Sequence, residues 1–219
     1  MKTLCVSLLL AICSTASSAQ DVTARLAGRV SPEVAALVQQ LATSAAARGL
    51  PVDPLIQKAI EGSAKGVPAD RVAIALRAVS GQLDAAAAAL QQAGAAPDTD
   101  AIAAGAFALN AGLSDQDVTT LAQVSRPSSS VAATLRVAST LAAMGVPAAQ
   151  TVALVTQVIE AGGSTAEVLA LPADVMAGVS RGHGRGRDVT PAEAAAGLSR
   201  AAAARANAPG QTKPKPGKP

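Results

Sequence analysis

The chain has 219 residues, half of them hydrophobic, with 18 Lys and Arg against 15 Asp and Glu, one His, one Phe and no Trp or Tyr. Its core must be made mainly of Ala, Val and Leu. Alanine is the best helix former and strand-type alternation is lacking, which predicts an all-α, Ala-rich fold with closely approaching helices. Missing aromatic side chains and a net charge of only +3 speak against nucleic-acid recognition, because base stacking and a strong phosphate-facing charge would both be lacking.

Lys2, the apolar stretch Leu4 to Ile12 and the small residues Ser17-Ser18-Ala19 read as a secretory signal peptide over 1–19. Its apolar stretch is shorter than the roughly 20 residues a bilayer requires. Cys13 follows Ile12, which is not small, so lipid attachment there is disfavoured. Both cysteines, Cys5 and Cys13, lie within the signal, and cleavage after Ala19 leaves no thiol for a disulfide, a zinc site or a nucleophile. The expectation is an exported protein, periplasmic or extracellular, with no transmembrane helix in the mature chain and with peripheral membrane contact open to it.

Ser31 before Pro32-Glu33 opens a helix predicted over 32–48. A recurring punctuation follows, a glycine, an aliphatic residue, then Pro or Ser: Gly49-Leu50-Pro51, Gly66-Val67-Pro68, Gly112-Leu113-Ser114 and Gly145-Val146-Pro147, with Gly162-Gly163-Ser164 as a variant. Such a string ends one helix on a left-handed glycine, folds the next residue back and starts another helix. It divides the chain into helices predicted at 52–64, 69–92, 98–111, 114–125, 130–144, 148–161, 165–180 and 191–207. Ser164 with Glu167 and Thr190 with Glu193 have the spacing of capping boxes, and Asp98 is an N-cap candidate. Val72, Leu76, Val79, Leu83 and Leu90 mark one buried face of the 69–92 helix. Short helices with short turns predict antiparallel helical hairpins, in a small bundle or an irregular α-solenoid.

The stretch from Arg48 to Val72 carries the pattern GLPxxPLxxKxxEGxxKGVPxxR and resembles a group of uncharacterised bacterial exported proteins with that helical segment. The resemblance covers about 25 residues, strongest from Leu50 to Val72. It implies bacterial origin and export, and brings no activity and no catalytic residues.

Two clusters could carry chemistry. Lys58, Glu61 and Lys65 share one helix face, with Asp70 and Arg71 just past the next turn. They read either as a polar site for an anionic ligand or as a solvated face of ion pairs worth about 0.2–0.5 kcal/mol each, and the second is preferred. Arg181, His183, Arg185 and Arg187 alternate with glycines, which could wrap a phosphate or carboxylate with guanidinium groups and backbone N–H donors, or form a flexible basic connector. One His and no mature Cys make a metal site improbable, and no Walker or nucleophile-elbow motif is present, so no cofactor is expected. Asp98-Thr99-Asp100 and Asp115-Gln116-Asp117 lack the spacing of a calcium loop and read as helix starts.

The organisation expected is a signal at 1–19, a helical domain at 20–180, a Gly/Arg loop at 181–188, a terminal helix at 189–207 and a disordered basic Pro-rich tail at 208–219. Residues 20–180 hold nine basic and thirteen acidic residues, and 181–219 hold eight basic and two acidic. This asymmetry points to a non-enzymatic interaction or scaffold protein at the cell envelope. Its acidic body would meet a protein partner, and its basic tail an acidic envelope polymer or lipid headgroups. The alternative is a small-anion binding module at Arg181–Arg187 helped by Arg200, and a third reading uses Glu61 or His183 as an acid–base group.

Overall fold

The computed structural model describes residues 21–96, 98–125, 130–185 and 187–206; the expected signal at 1–19 and tail at 208–219 lie outside them. Among the described residues all regular structure is helical. α1 covers 21–26, and it is followed by α2 (Pro32–Ala47), α3 (Asp53–Ala64), α4 (Ala69–Gln92), α5 (Thr99–Asn110) and α6 (Asp115–Val124). α7 (Val131–Ala143), α8 (Ala148–Glu160), α9 (Thr165–His183) and α10 (Pro191–Ala206) complete the order. The protein is all-α, as the composition requires. α1 is the addition, a helix too short for periodicity to reveal.

Local chemistry sets the turns. Gly145 takes φ 91°, its N–H donates to the Ala142 carbonyl at 2.9 Å, and the Val146 N–H donates to the Leu141 carbonyl at 3.1 Å. This Schellman pair satisfies two orphan carbonyls and folds Val146, 3% exposed, back onto the core. Gly112 and Leu113 repeat it between α5 and α6. The following residue starts the next helix: the Ser114 hydroxyl accepts from the Asp117 N–H at 3.2 Å while the Asp117 carboxylate accepts from the Ser114 N–H at 2.8 Å. Ser164 with Glu167 and Thr190 with Glu193 form the same reciprocal pairs, and Ser31 and Asp98 cap α2 and α5.

The stretch 20–180, expected as one domain, divides into two compact units between Ala87 and Ala88, a break inside the uninterrupted helix α4. In the first unit α2, α3 and the start of α4 bury Val38, Leu55, Ile56, Ala59, Leu76 and Leu83, while Val79 of the expected face is only half-buried. Gly62 allows α3 and α4 to close, since a Cβ there would lie 2.8 Å from the Val72 Cγ2. α4, 24 residues long with a window of mean hydropathy 1.2, has the length and composition of a membrane span. Arg77, Gly81 and Asp84 interrupt it, and Asp84 pairs with Arg48 at 2.6 Å.

In the second unit α7 packs chiefly on α5 and α9, and α8 on α6 and α10. Helices therefore meet their second neighbours in two layers, α5–α7–α9 and α6–α8–α10. The hairpins begin at Thr99, Val131 and Thr165, 32 and 34 residues apart. This is the packing of a stacked solenoid, the second of the two expected arrangements. Ala104, Ala108 and Ala138 are fully buried on α5 and α7, where small side chains permit close approach. Thr119 of α6 donates its hydroxyl to the Asp115 carbonyl at 2.9 Å and reaches the Ala89 carbonyl at 3.3 Å, so this buried polar group is satisfied.

The Gly/Arg loop expected at 181–188 is shorter than that, because α9 runs on through His183. Gly182 is buried against Val189, with no room for a side chain, and the Arg185 and Arg187 N–H groups both donate to the Gly182 carbonyl at 3.0 Å. The helix therefore runs through Gly182, where the absence of a side chain admits Val189.

Opposite effects of alanine separate turn glycines from helical ones. Gly145→Ala forces a side chain into the left-handed region and is expected to lower stability by about 1–2 kcal/mol. Gly197→Ala, inside α10 with open space around its Cβ position, is expected to raise it by roughly 0.4–1 kcal/mol. Urea unfolding midpoints of the two variants check both signs.

Candidate functional site

The first predicted cluster forms on the exposed face of α3. Lys58 Nζ lies 3.4 Å from one Glu61 carboxylate oxygen and Lys65 Nζ 2.5 Å from the other. The Lys65 hydrogen bond, then the Lys58 charge, hold the Glu61 carboxyl below the usual glutamate range. A carboxylate held ionised in this way is a weak proton acceptor and a poor proton donor near neutral pH. Asp70 and Arg71 stand exposed in the first turn of α4, and no ion pair links them to the three.

Glu61 also borders a groove that the sequence did not reveal. Arg25, Arg29, Ile56, Gln57, Ile60 and Glu61 line an open depression of about 480 Å³ between α1 and α3. Arg25 is held by Asp53 at 2.5 Å, which leaves Arg29 and Gln57 as the rim donors. Without α1 in the sequence reading, neither arginine could be placed beside α3.

The second predicted cluster sits at the C-terminal end of α9. Arg181 Nε donates to the Ala177 carbonyl at 3.2 Å, His183 Nδ1 lies 3.1 Å from the Val179 carbonyl, and His183 Nε2 lies 3.6 Å from Asp188. The Arg181 guanidinium there complements the negative end of the helix dipole. The N–H groups of Gly184, Arg185 and Arg187 all donate to carbonyls of the same helix end. These three donors are thus bonded within the helix end, while the side chains of Arg181, Arg185 and Arg187 stand exposed.

The aspartate pairs have structural roles. Asp98 accepts from the Ala101 N–H at 2.6 Å and Asp117 closes the α6 capping box. Among the described residues no group of three or more His, Cys, Asp or Glu gathers as a metal site.

The feature missed entirely is the outer face of α9. Val168, Leu171, Val175 and Gly182 face inward. The opposite stripe, where an amphipathic helix carries polar residues, holds Ala166, Leu169, Ala170, Ala173, Met176 and Ala177, all exposed, with Leu169 at 54% and Met176 at 49%. A helix apolar all round signals burial or contact. That signal was present in the sequence, in the i, i+3, i+4 and i+7 spacings of both stripes.

Comparison with known protein families, curated proteins and solved structures found no match. Within the Leu50–Val72 stretch, Leu50, Pro54 and Leu55 are buried, Gly62 admits Val72, and Gly66 takes φ 66°. Lys58, Glu61, Lys65 and Arg71 are the charged positions of that pattern, on its outer surface.

Two carboxylates report on these arrangements. Glu193 is also held below the usual range, by the Thr190 N–H and then its hydroxyl. A lowered folded pKa means that each group's contribution is present above the unfolded value and is lost as pH falls through the folded one. Carboxyl NMR titration is expected to place both below ordinary glutamate. Lys65→Ala should raise Glu61 alone, and Thr190→Ala should raise Glu193 alone.

Proposed function

We propose that the chain is an exported, non-enzymatic helical interaction or scaffold protein at the cell envelope. The observation that supports this best is the two-layer hairpin stack of the second unit, because stacked hairpins lay out an extended surface for partners. Export is supported by the signal pattern of residues 1–19. In this reading the acidic stretch 20–180 offers the protein-binding surface. The basic residues of 181–219 add a salt-sensitive contact with an acidic polymer or lipid headgroups.

A second reading, small-anion binding, is favoured by the exposed Arg181, Arg185 and Arg187 within seven residues at one helix end. It relies on the guanidinium groups, since the N–H donors of Gly184, Arg185 and Arg187 are bonded within the helix end.

Affinity recovery of envelope components separates the two. The full chain, a version ending at Ala206 and an Arg181→Gln, Arg185→Gln, Arg187→Gln variant are compared at low and high salt. The end at Ala206 keeps α10, which packs on α8 and α9. The scaffold reading expects one protein partner retained by all three at both salt levels. Recovery that needs the three arginines and disappears in high salt would contradict it and favour anion binding.

A further inference from the structure

We infer that a groove along α3 binds an extended peptide segment of a partner protein, with one acidic residue on Arg29 and an apolar residue two positions to either side. The inference rests on reading the protein as an interaction module, and gives that reading a site and a partner chemistry.

The groove is built from one side of α3 and the chain that leads into α2. Ile56, Ile60 and Ser63 follow one another at i, i+4 and i+7, so they lie along a single side of α3. Ile56 and Ile60 border the depression of about 480 Å³ described above. Ser63, Gly66 and Val67 border a second open depression of about 390 Å³, opposite Val30, Ser31 and Val34. Arg29 lines both, so the two adjoin at that residue. The span from Ile56 to Gly66 is about 15 Å at the helical rise. That is roughly the length of four or five residues of extended chain.

Charge selects the occupant. Arg25 is held by Asp53 and Asp21, and Glu61 by Lys58 and Lys65. Among the described residues Arg29 makes no ion pair, although it stands between the two depressions. Its exposed guanidinium offers a forked pair of donors to one carboxylate. Glu33 and Asp70 are next in sequence to the lining residues Val34 and Ala69, so a second acid at that end is disfavoured.

Apolar surface lies to both sides of this cation. Exposed Ala24 and half-buried Ile60 stand on one side, half-buried Val30 and exposed Val67 on the other. In an extended chain every second residue points to one face, about 7 Å apart. A central acid with an aliphatic residue two positions before and after it fits this arrangement, and Gln57 on the rim adds an amide for the peptide backbone. A fatty acid carries its carboxylate at one end and would fill one depression only. Small-molecule sites also enclose most of their ligand, whereas both depressions are open. The rest of the chain offers no substitute, because residues 1–20 and 207–219 contain no Asp or Glu.

The probe is a short peptide blocked at both ends, with a central glutamate, leucine two positions to either side, and serine and alanine elsewhere. It is titrated into the full chain and followed by NMR. Saturable shifts are expected at Arg29, Gln57, Ile60 and Val67, with a Kd of about 0.1–1 mM. Replacing the peptide glutamate by glutamine should weaken binding by roughly ten-fold or more. Arg29→Gln should weaken the acidic peptide by a similar factor and abolish the difference between the two peptides. Helix content should not change, because Arg29 is exposed and lies outside the helices. Equal binding of the two peptides, an acid preference that survives Arg29→Gln, or no shift in either depression overturns the inference. Saturable binding of octanoate but not of the peptide also overturns it and assigns the groove to a lipid acid. Concentration-dependent shifts of the same residues in the chain alone overturn it in favour of a second copy. If the peptide fails while an envelope protein is still recovered, the scaffold reading stands without this site. If the peptide binds as expected and no envelope protein is recovered, the scaffold reading alone falls.

Discussion

Close helix approach is the constraint on which the rest of this protein depends. Without Trp or Tyr, and with its single Phe half exposed, the chain has few large side chains to bury. Its interior is Leu, Val and Ile set among fully buried alanines such as Ala59, Ala86, Ala104, Ala108 and Ala138. An alanine contributes little buried area by itself, so stability must come from many short contacts between backbones held near one another. Glycines serve the same end where even a methyl is too large, at Gly62 against Val72 and at Gly182 against Val189.

That constraint also explains the short helices and the turns. A thin core rewards hairpins that stack, and each hairpin requires a turn that satisfies its own backbone groups. The glycine–aliphatic–proline or –serine string does this within a few residues. It supplies a left-handed glycine, a residue folded back on the helix and a cap for the next one. Much of the polar chemistry is absorbed here: Asp98, Asp117, Glu167 and Glu193 accept backbone N–H bonds at helix starts. Lys58 and Lys65 both pair with Glu61 on a surface. Among the exposed large apolar side chains, Leu169 and Met176 lie together along α9, and a functional reading through contact with other molecules draws on that face.

The legible parts of the fold were those encoded locally. Turn strings and capping boxes specify neighbours a few residues apart, so the helix starts and most ends from α2 to α10 could be read directly. The 181–188 stretch reads as a loop from its glycines, whereas α9 runs through His183 with Gly182 packed against Val189 across a turn. The unit boundary at Ala87 was hidden because α4 shows no break in pattern. Second-neighbour packing of α5, α7 and α9 depends on non-local contacts that no spacing rule carries. The Arg25–Arg29 groove needed an element too short to detect. The α9 face was legible, since both apolar stripes are in the sequence, but its outward direction required knowing which stripe α7 covers.

α7 is enclosed by closely approaching neighbours while the outer stripe of α9 is open. Paired substitutions of alanine by leucine test it directly, with unfolding followed at the lowest workable protein concentration. Ala138→Leu, at a fully buried position of α7, is predicted to cost about 1–3 kcal/mol through overpacking. Ala173→Leu, on the open stripe of α9, is predicted to change stability by no more than about 0.5 kcal/mol. Equal tolerance of both, or a larger loss at Ala173, would contradict the layered arrangement and the open face that follows from it.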